Sequence, residues 1–161
     1  MATDKEVKLG EILILKGWLT PMQLEKALAQ QKKAGKFLGV ILLEESFITE
    51  EQLARALSEQ YKIPLMSLKN SYIDWPLATH FSPSLILDHK CFPVERTPYE
   101  MTFALTNNLD GWALTQIEQE TRGYRLRLVL ITHSDMKELM NRYRQHISIQ
   151  IRRKLDTPTE Q

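Results

Sequence analysis

Two glutamines and two glycines stand at matched positions in the first 60 residues, and with a third glycine they are the strongest candidates for chemistry. Gln31 and Gln60 each carry an amide that can donate and accept hydrogen bonds. Gly10, Gly17 and Gly39 have no side chain, so another molecule can approach their backbone closely. Leucines at helical spacing accompany them and offer an apolar surface. These residue types favour ligand binding over catalysis, although a plain core repeat would show the same pattern.

The remaining reactive side chains lack the spacing of a catalytic or metal site. No Ser/His/Asp or Cys/His set can be proposed, so we expect no enzyme activity, no metal and no resident cofactor. His80, His89 and Cys91 match no standard zinc pattern, and we interpret them as core or surface residues. The adjacent carboxylates Glu44-Glu45 and Glu50-Glu51 are expected on solvated helix faces.

The glutamines and glycines belong to a 24-residue pattern that occurs twice. The first copy, KLGEILILKGWLTPMQLEKALAQQ, spans residues 8–31, and the second, FLGVILLEESFITEEQLARALSEQ, spans residues 37–60. Ten positions are identical at an offset of 29 residues, and the five-residue spacer KKAGK joins the copies. This is an internal duplication.

Each copy predicts a short apolar helix, a turn and a longer helix. Thr20 with Gln23, and Thr49 with Gln52, have the spacing of a capping box, which begins the longer helix. Two such helix–turn–helix units, stacked about a pseudo-twofold axis, form a small four-helix bundle.

The composition is that of a globular, cytoplasmic protein. Of the 161 residues, 43% are hydrophobic and 25% are charged, and the net charge is +1, which argues against a general nucleic-acid binder. The single cysteine excludes a disulfide framework. The N-terminus has no apolar signal core, and no segment reaches the length of a membrane span.

The composition changes after Tyr61, where five of the seven prolines fall between residues 64 and 98. IPLMSL, CFPVERT, MTFALTN and YRLRLVLIT are interpreted as strands, and WPLATHF and PSLILDH as short helical turns. A helix is expected from Leu109 to Thr121, with Trp112, Leu114 and Ile117 available to a core, and Ser134 is expected to cap a final helix.

These elements predict an α+β protein, in which a four-helix unit made of two helix–turn–helix repeats precedes a small α/β subdomain. We place the helical subdomain at residues 1–62, the α/β subdomain at residues 63–145 and a basic C-terminal tail at residues 146–161.

The doubled pattern resembles the tandem motif RLGxxLVxxGxLxxxxLxxxLxxQ of the MshEN-type N-terminal domain of type II secretion and type IV pilus assembly ATPases. The spacer also agrees, and a weaker resemblance continues through TFALTNNLD and TRGYRLRLVLIT. The ATPase core of that family needs a GxxxxGK[ST] loop. Gly35-Lys36, the only Gly-Lys pair, lacks the other residues of that loop, so we expect a module without a motor.

The resemblance implies two alternative functions. In some members the domain binds cyclic di-GMP along the tandem motif, and in others it is a nucleotide-free docking or adaptor module of the secretion or pilus machinery. Carried onto this sequence, the ligand-binding residues are Lys8, Leu9, Gly10, Leu13, Ile14, Gly17, Leu24, Leu28, Gln31, Phe37, Leu38, Gly39, Leu42, Leu43, Ser46, Leu53, Leu57, Gln60 and Asn107.

Four positions depart from the family pattern. The opening arginine, whose planar fork suits guanine, is Lys8 in the first copy and Phe37 in the second. Phe37 can instead stack on a base. The second glycine of copy two is Ser46, and the family's Asp-Pro aligns with Asn107-Asn108, an amide that offers one acceptor oxygen where a carboxylate offers two.

Trp18 and Phe47 occupy equivalent positions after the turn of each copy and are the candidate contacts for a protein of the secretion or pilus apparatus. Exposed, the two rings would form an apolar patch suited to a partner. The alternative is that both rings fold back over the ends of the bundle.

Overall fold

The computed structural model describes residues 8–107 and 111–157, which divide into two compact units. The first unit ends at Leu65 and the second begins at Met66. Asn108, the first two residues of the helix predicted from Leu109, and the last four residues of the predicted tail lie outside the described residues. The chain is a mixed α+β protein, as the sequence predicted.

The first unit contains the two helix–turn–helix repeats at corresponding positions. Its helices are α1 (Leu9–Leu15), α2 (Pro21–Ala34), α3 (Leu38–Glu44) and α4 (Glu50–Tyr61). Both predicted capping boxes are present: the hydroxyl of Thr20 accepts from the N–H of Gln23 at 3.2 Å, and that of Thr49 accepts from Gln52 at 3.1 Å. Each box satisfies backbone donors at the start of a long helix and so sets where it begins.

The second unit is a three-stranded sheet with helices. Its elements are α5 (Trp75–Ala78), α6 (Pro83–Leu87), β1 (Phe92–Arg96), β2 (Glu100–Leu105), α7 (Gly111–Glu120), β3 (Arg125–Leu130) and α8 (His133–Asp156). The strand order is β1-β2-β3, with β1 antiparallel and β3 parallel to β2. The β2–β3 pair needs a crossover because its strands are parallel, and α7 lies in that connection.

An aromatic core holds the helices of this unit on the sheet. Phe92 on β1 meets Tyr143 on α8 edge to face, with ring centroids 6.0 Å apart, and Phe81 meets Phe103 on β2 at 5.2 Å. Pro93 is tolerated in β1 because an edge strand can lack a ladder donor. The predicted alternation of β3 is confirmed, with Arg125 and Arg127 exposed.

Several local expectations are wrong. Residues 63–68 form no strand of the sheet, although the N–H of Met66 does donate to the carbonyl of Leu130 at 2.8 Å. Trp112 is 54% exposed and Leu114 also faces out, whereas Ala113 joins Ile117 in the core.

The final helix differs from its prediction at both ends. Thr132, not Ser134, caps α8, and its hydroxyl accepts from the N–H of Asp135 at 3.1 Å. The helix continues to Asp156, so residues 146–156 belong to α8 rather than to a separate tail. None of the described helices is long and apolar enough to cross a membrane.

Candidate functional site: the repeated helical unit

The four helices pair across the two copies. Helix α1 packs on α4 and α2 packs on α3, as a pseudo-twofold axis requires. Polar contacts follow the same symmetry. Lys16 contacts Glu59 at 2.8 Å, and at the equivalent positions of the other half Gln30 donates to Glu45 at 3.1 Å. The predicted arrangement of the duplicated helices is therefore present.

Gly10 and Gly39 allow each short helix to approach the long helix of its own copy. A Cβ atom on Gly10 would lie 2.7 Å from Cδ1 of Leu24, and one on Gly39 would lie 2.9 Å from Cδ1 of Leu53. The space predicted to admit a ligand is filled by these leucines, so the structure gives both glycines a packing role.

The turn between the helices requires a left-handed residue in both copies. Gly17 has φ +72°, and its equivalent Ser46 has φ +57°. Glycine adopts this conformation freely and serine does so at a cost. Ser46 therefore retains the turn of copy two, and its departure from the family's glycine leaves the fold of the repeat intact.

The predicted leucines divide into a core set and an open set. Leu13 and Leu42 have no exposed surface, so in this conformation they support the bundle, and their assignment as ligand contacts stays a prediction. Leu53 and Leu57 are also buried, at 2% and 4% exposure, whereas Leu28, the equivalent of Leu57, is 40% exposed. Leu9, Ile14, Leu24, Leu38 and Leu43 are half-buried.

An open groove of about 660 Å³ follows this exposed surface of copy one. Three predicted ligand residues, Ile14, Leu24 and Leu28, line it together with Pro21, Glu25, Ala29, Lys32 and Lys33. The volume lies within the range of small-molecule sites. The floor is apolar, and the two lysines outnumber the single carboxylate, that of Glu25. This lining suits a ligand that carries both flat apolar parts and negative charge.

Sequence reasoning missed Lys32 and Lys33. Both are exposed in the last turn of α2, and neither makes an ion pair with another described residue. The available signal was the basic spacer KKAGK, whose first two residues lie one helical turn beyond Leu28 on α2.

Copy two has a smaller and differently charged cleft. It measures about 450 Å³ and is lined by Leu43, Ser46, Phe47, Ile48, Thr49, Glu50 and Gln52. Leu43 and Ser46 were predicted ligand residues, but Glu50 brings a negative charge that disfavours phosphate. The described residues that line this cleft include no lysine or arginine.

The opening residues of the two motifs are the N-caps of the short helices. Lys8 begins α1 and Phe37 begins α3, and both side chains are exposed, Phe37 to 72%. Phe37 is therefore accessible for stacking. Asn107 follows β2 in the second unit and is half-buried.

Gln60 carries an unmatched acceptor. Its Oε1 atom is buried and has no hydrogen-bond partner among the described residues. Buried polar atoms are rarely left so, and Gln60 does not line the groove of copy one. Its counterpart Gln31 is half-buried.

Trp18 and Phe47 are neither exposed anchors nor core residues. Both rings are half-buried, and each is covered by a lysine: the Nζ atom of Lys16 lies 5.4 Å from the Trp18 centroid, and that of Lys26 lies 5.5 Å from the Phe47 centroid. The predicted exposed apolar patch is thus reduced by two cation–π contacts. Their role in partner binding stays a prediction.

Cys91 and His89 belong to the second unit. Cys91 is fully buried, and burial raises the pKa of its thiol. The ring of His89 stacks on that of Trp112 with centroids 4.4 Å apart. Within the described ranges, no three His, Cys, Asp or Glu residues gather as metal ligands.

Comparison with known families supplies the decisive observation. The model of the MshEN domain matches residues 61–149, more than half of the chain. The chain belongs to the MshEN domain family. The match covers the sheet unit, whereas the sequence resemblance was strongest in the helical repeats, so two separate parts of the chain lead to the same family.

Solved structures share the fold of this MshEN domain. A structure of MshE with cdg superposes with a TM-score of 0.74 and 23% identity, covering 85% of this chain and 99% of that chain. The N-terminal domain of XpsE superposes with a TM-score of 0.67 and 18% identity, covering 83% of this chain and 92% of that one.

One curated relative shares a short stretch of sequence. The type IV pilus assembly ATPase PilB of Thermus thermophilus is 50% identical over 36 residues, which are 22% of this chain and 4% of that ATPase. The matched stretch therefore spans only a small part of the PilB chain.

Proposed function

We propose that this MshEN domain is a receptor for cyclic di-GMP and that the groove of copy one supplies most of the binding energy. The observation that carries the proposal is the open groove of about 660 Å³, which combines an apolar floor with Lys32 and Lys33. A cyclic dinucleotide presents flat bases, sugars and two phosphates, and these are the parts that such a lining can hold.

Each part of the groove matches one part of that ligand. Leu24 and Leu28 offer the apolar surface on which a sugar or base can rest. Lys32 and Lys33 place positive charge at the rim, where phosphates would lie.

Copy two contributes less in this proposal. Leu53 and Leu57 are buried, whereas their equivalents Leu24 and Leu28 line the groove of copy one. Glu50 lines the small cleft of copy two. Phe37 can stack on a base, which gives copy two a contact that does not depend on charge. The fold shared with the structure of MshE with cdg supports this ligand class.

The proposed consequence of binding is a change in how the domain meets a protein of a secretion or pilus system. Relatives with this fold include the N-terminal domain of XpsE, and a sequence relative is a pilus assembly ATPase. The module acts in this proposal by binding rather than by catalysis.

Calorimetric titration of the chain with cyclic di-GMP tests the proposal. The double variant Lys32→Gln, Lys33→Gln should weaken binding about tenfold, because exposed charge contacts are each worth up to about 1 kcal/mol. Lys36→Gln is the matched control, since Lys36 lies in the same basic spacer but pairs with Glu44 at 2.8 Å. We expect it to bind within about twofold of the natural chain.

Two outcomes would contradict the proposal. Equal losses in the control and the double variant would show a general charge effect rather than a site. No heat and no NMR shifts at millimolar ligand would favour the nucleotide-free docking function, because the groove would then lack the ligand for which it is proposed.

A further inference from the structure

A second pocket, in the sheet unit, is lined by basic side chains that the proposed cyclic di-GMP site does not use. The cavity of about 300 Å³ lies beside α8, the end of β2 and the segment after α6. Lys90, Lys137 and Arg144 line it, together with His133 and Thr106. None of the described residues that line it is acidic.

The three cations are not neutralised by the part of the chain that the structure describes. Neither lysine forms an ion pair with any described residue, and Arg144 forms none either. The acidic residues nearest to them in sequence are bonded elsewhere: Asp88 to the hydroxyl of Ser84 at 2.9 Å, Asp135 to the N–H of Leu68 at 3.4 Å, and Glu138 to Arg142. Like charges gathered around one concavity repel each other and concentrate anions there.

The backbone at Lys90 is a second, independent observation. Lys90 has φ +49°, in the left-handed region that favours glycine or asparagine. Non-glycine residues persist there at a conformational cost, and such residues cluster at functional sites. Here the strained position carries a lysine whose side chain lines the pocket.

The floor of the pocket is apolar. Met136 and Met140 are buried residues of α8 and line it with Leu87. His133, Met136, Lys137, Met140 and Arg144 share one face of α8, so a single rigid helix sets the spacing of most of the lining. A ligand seated there meets positive charge on one side and flexible thioethers on the other.

We infer that this pocket binds a small phosphate-bearing molecule, with Arg144, Lys137 and Lys90 holding the phosphate. Arginine matches phosphate oxygens with two parallel hydrogen bonds, and lysines add point charges. Thr106 supplies a hydroxyl, and the methionine floor accepts a compact apolar group of the ligand. The volume is at the lower end for small-molecule sites, which suits a metabolite rather than a dinucleotide.

The site is distinct from the cyclic di-GMP groove. Every residue that lines it lies in the second unit, and the groove lies in the first. Its test therefore does not depend on the proposed receptor function.

Titration of the full chain with phenyl phosphate and, separately, with inorganic phosphate tests the inference. Both titrations use a phosphate-free buffer at an ionic strength held constant with potassium chloride. We expect saturable binding, and we expect phenyl phosphate to bind more tightly than inorganic phosphate because its ring meets the methionine floor. Arg144→Gln and Lys137→Gln should each weaken binding about tenfold or more, since each removes a charge-assisted hydrogen bond.

Arg152→Gln is the matched control. Arg152 lies on the same helix, is exposed and does not line the pocket. We expect binding within about twofold of the natural chain, since a distant exposed charge is largely screened. Thermal midpoints of all variants should agree, because the exposed Arg144 and Lys137 make no ion pair with another described residue.

Three results would overturn the inference. The first is a failure of binding to saturate at millimolar phenyl phosphate. The second is a loss of affinity in Arg152→Gln equal to that in Arg144→Gln. The third is competition between cyclic di-GMP and phenyl phosphate that disappears in the Lys32→Gln, Lys33→Gln variant. Co-sedimentation with phosphatidylglycerol vesicles separates the two sources of a phosphate group. We expect the chain to stay in the supernatant; pelleting that Arg144→Gln abolishes would retain the phosphate chemistry and assign it to a lipid head group.

Discussion

At the scale of single residues, the two copies of the repeat differ most at positions that keep the same backbone. Gly17 and Ser46 both occupy the left-handed turn, at φ +72° and +57°. Lys8 and Phe37 both cap short helices without a side-chain hydrogen bond. The backbone needs of the repeat are thus met by different side chains, and those side chains change what each copy can bind.

Replacing Ser46 with glycine should stabilise the chain. The left-handed conformation costs a non-glycine residue about 1–2 kcal/mol, and the greater freedom of glycine in the unfolded state offsets part of that gain. We expect an increase of about 0.5–1 kcal/mol in the free energy of unfolding, measured by urea denaturation. The reverse change in copy one, Gly17→Ser, should lower stability by a similar amount. A Ser46→Gly variant no more stable than the natural chain would contradict the assignment of strain to this turn.

At the scale of helices and strands, the helical unit owes its regularity to short-range signals. The capping boxes at Thr20 and Thr49 could be predicted because each depends on two residues three positions apart. The cap of α8 could not, because Thr132 and Ser134 are both suitable hydroxyls and only the folded chain selects Thr132. The predicted strand IPLMSL fails for a similar reason, since pairing with a sheet is a property of the fold.

The glycines of the two short helices should respond differently to alanine. Alanine favours a helix over glycine by about 1 kcal/mol, and overpacking costs about 1–3 kcal/mol. Half-buried Leu24 can rotate away from a new methyl group, so Gly10→Ala should be nearly neutral. Leu53 is 2% exposed and cannot, so Gly39→Ala should destabilise by about 1–2 kcal/mol in denaturant unfolding.

The same pair of variants carries a second readout. Rotation of Leu24 would alter the floor of the groove. Gly10→Ala should therefore weaken cyclic di-GMP binding while leaving the free energy of unfolding nearly unchanged. Equal losses of stability in both variants would show that the burial difference between the two leucines does not control the response.

At the scale of the whole molecule, the chain joins an all-helical unit to a sheet unit, and each has its own candidate pocket. The order of the units could be read from the sequence because the repeat ends where the prolines begin. The difference between the two copies could not, because Leu28 and Leu57 are identical residues and only burial distinguishes them. The basic pocket was also missed, since Lys90 and Arg144 are 54 residues apart in sequence.

Cys91 can report on the second unit alone. It is the only cysteine, it is fully buried, and its raised thiol pKa keeps it protonated at pH 8, so a thiol reagent should react only after that unit opens. Thr49→Ala removes a helix cap in the first unit at a cost of about 1 kcal/mol. We expect the rate of Cys91 labelling to be unchanged in that variant. An aromatic disulfide reagent reports this rate through the absorbance of the aromatic thiolate that it releases. Faster labelling by about fivefold would show instead that the units open together.

The pairing of α1 with α4 and of α2 with α3 makes the helical unit a symmetric dimer within one chain. Each half makes its strongest helix contacts with the other half rather than with itself, which is the arrangement of an isologous homodimer. The link KKAGK makes that association intramolecular and so maintains a high effective concentration of each half near the other. Because the halves are tethered, their sequences need not be identical for these contacts to form. Leu28 is exposed in one half and its equivalent Leu57 is buried in the other, an asymmetry that a tethered pair of halves permits.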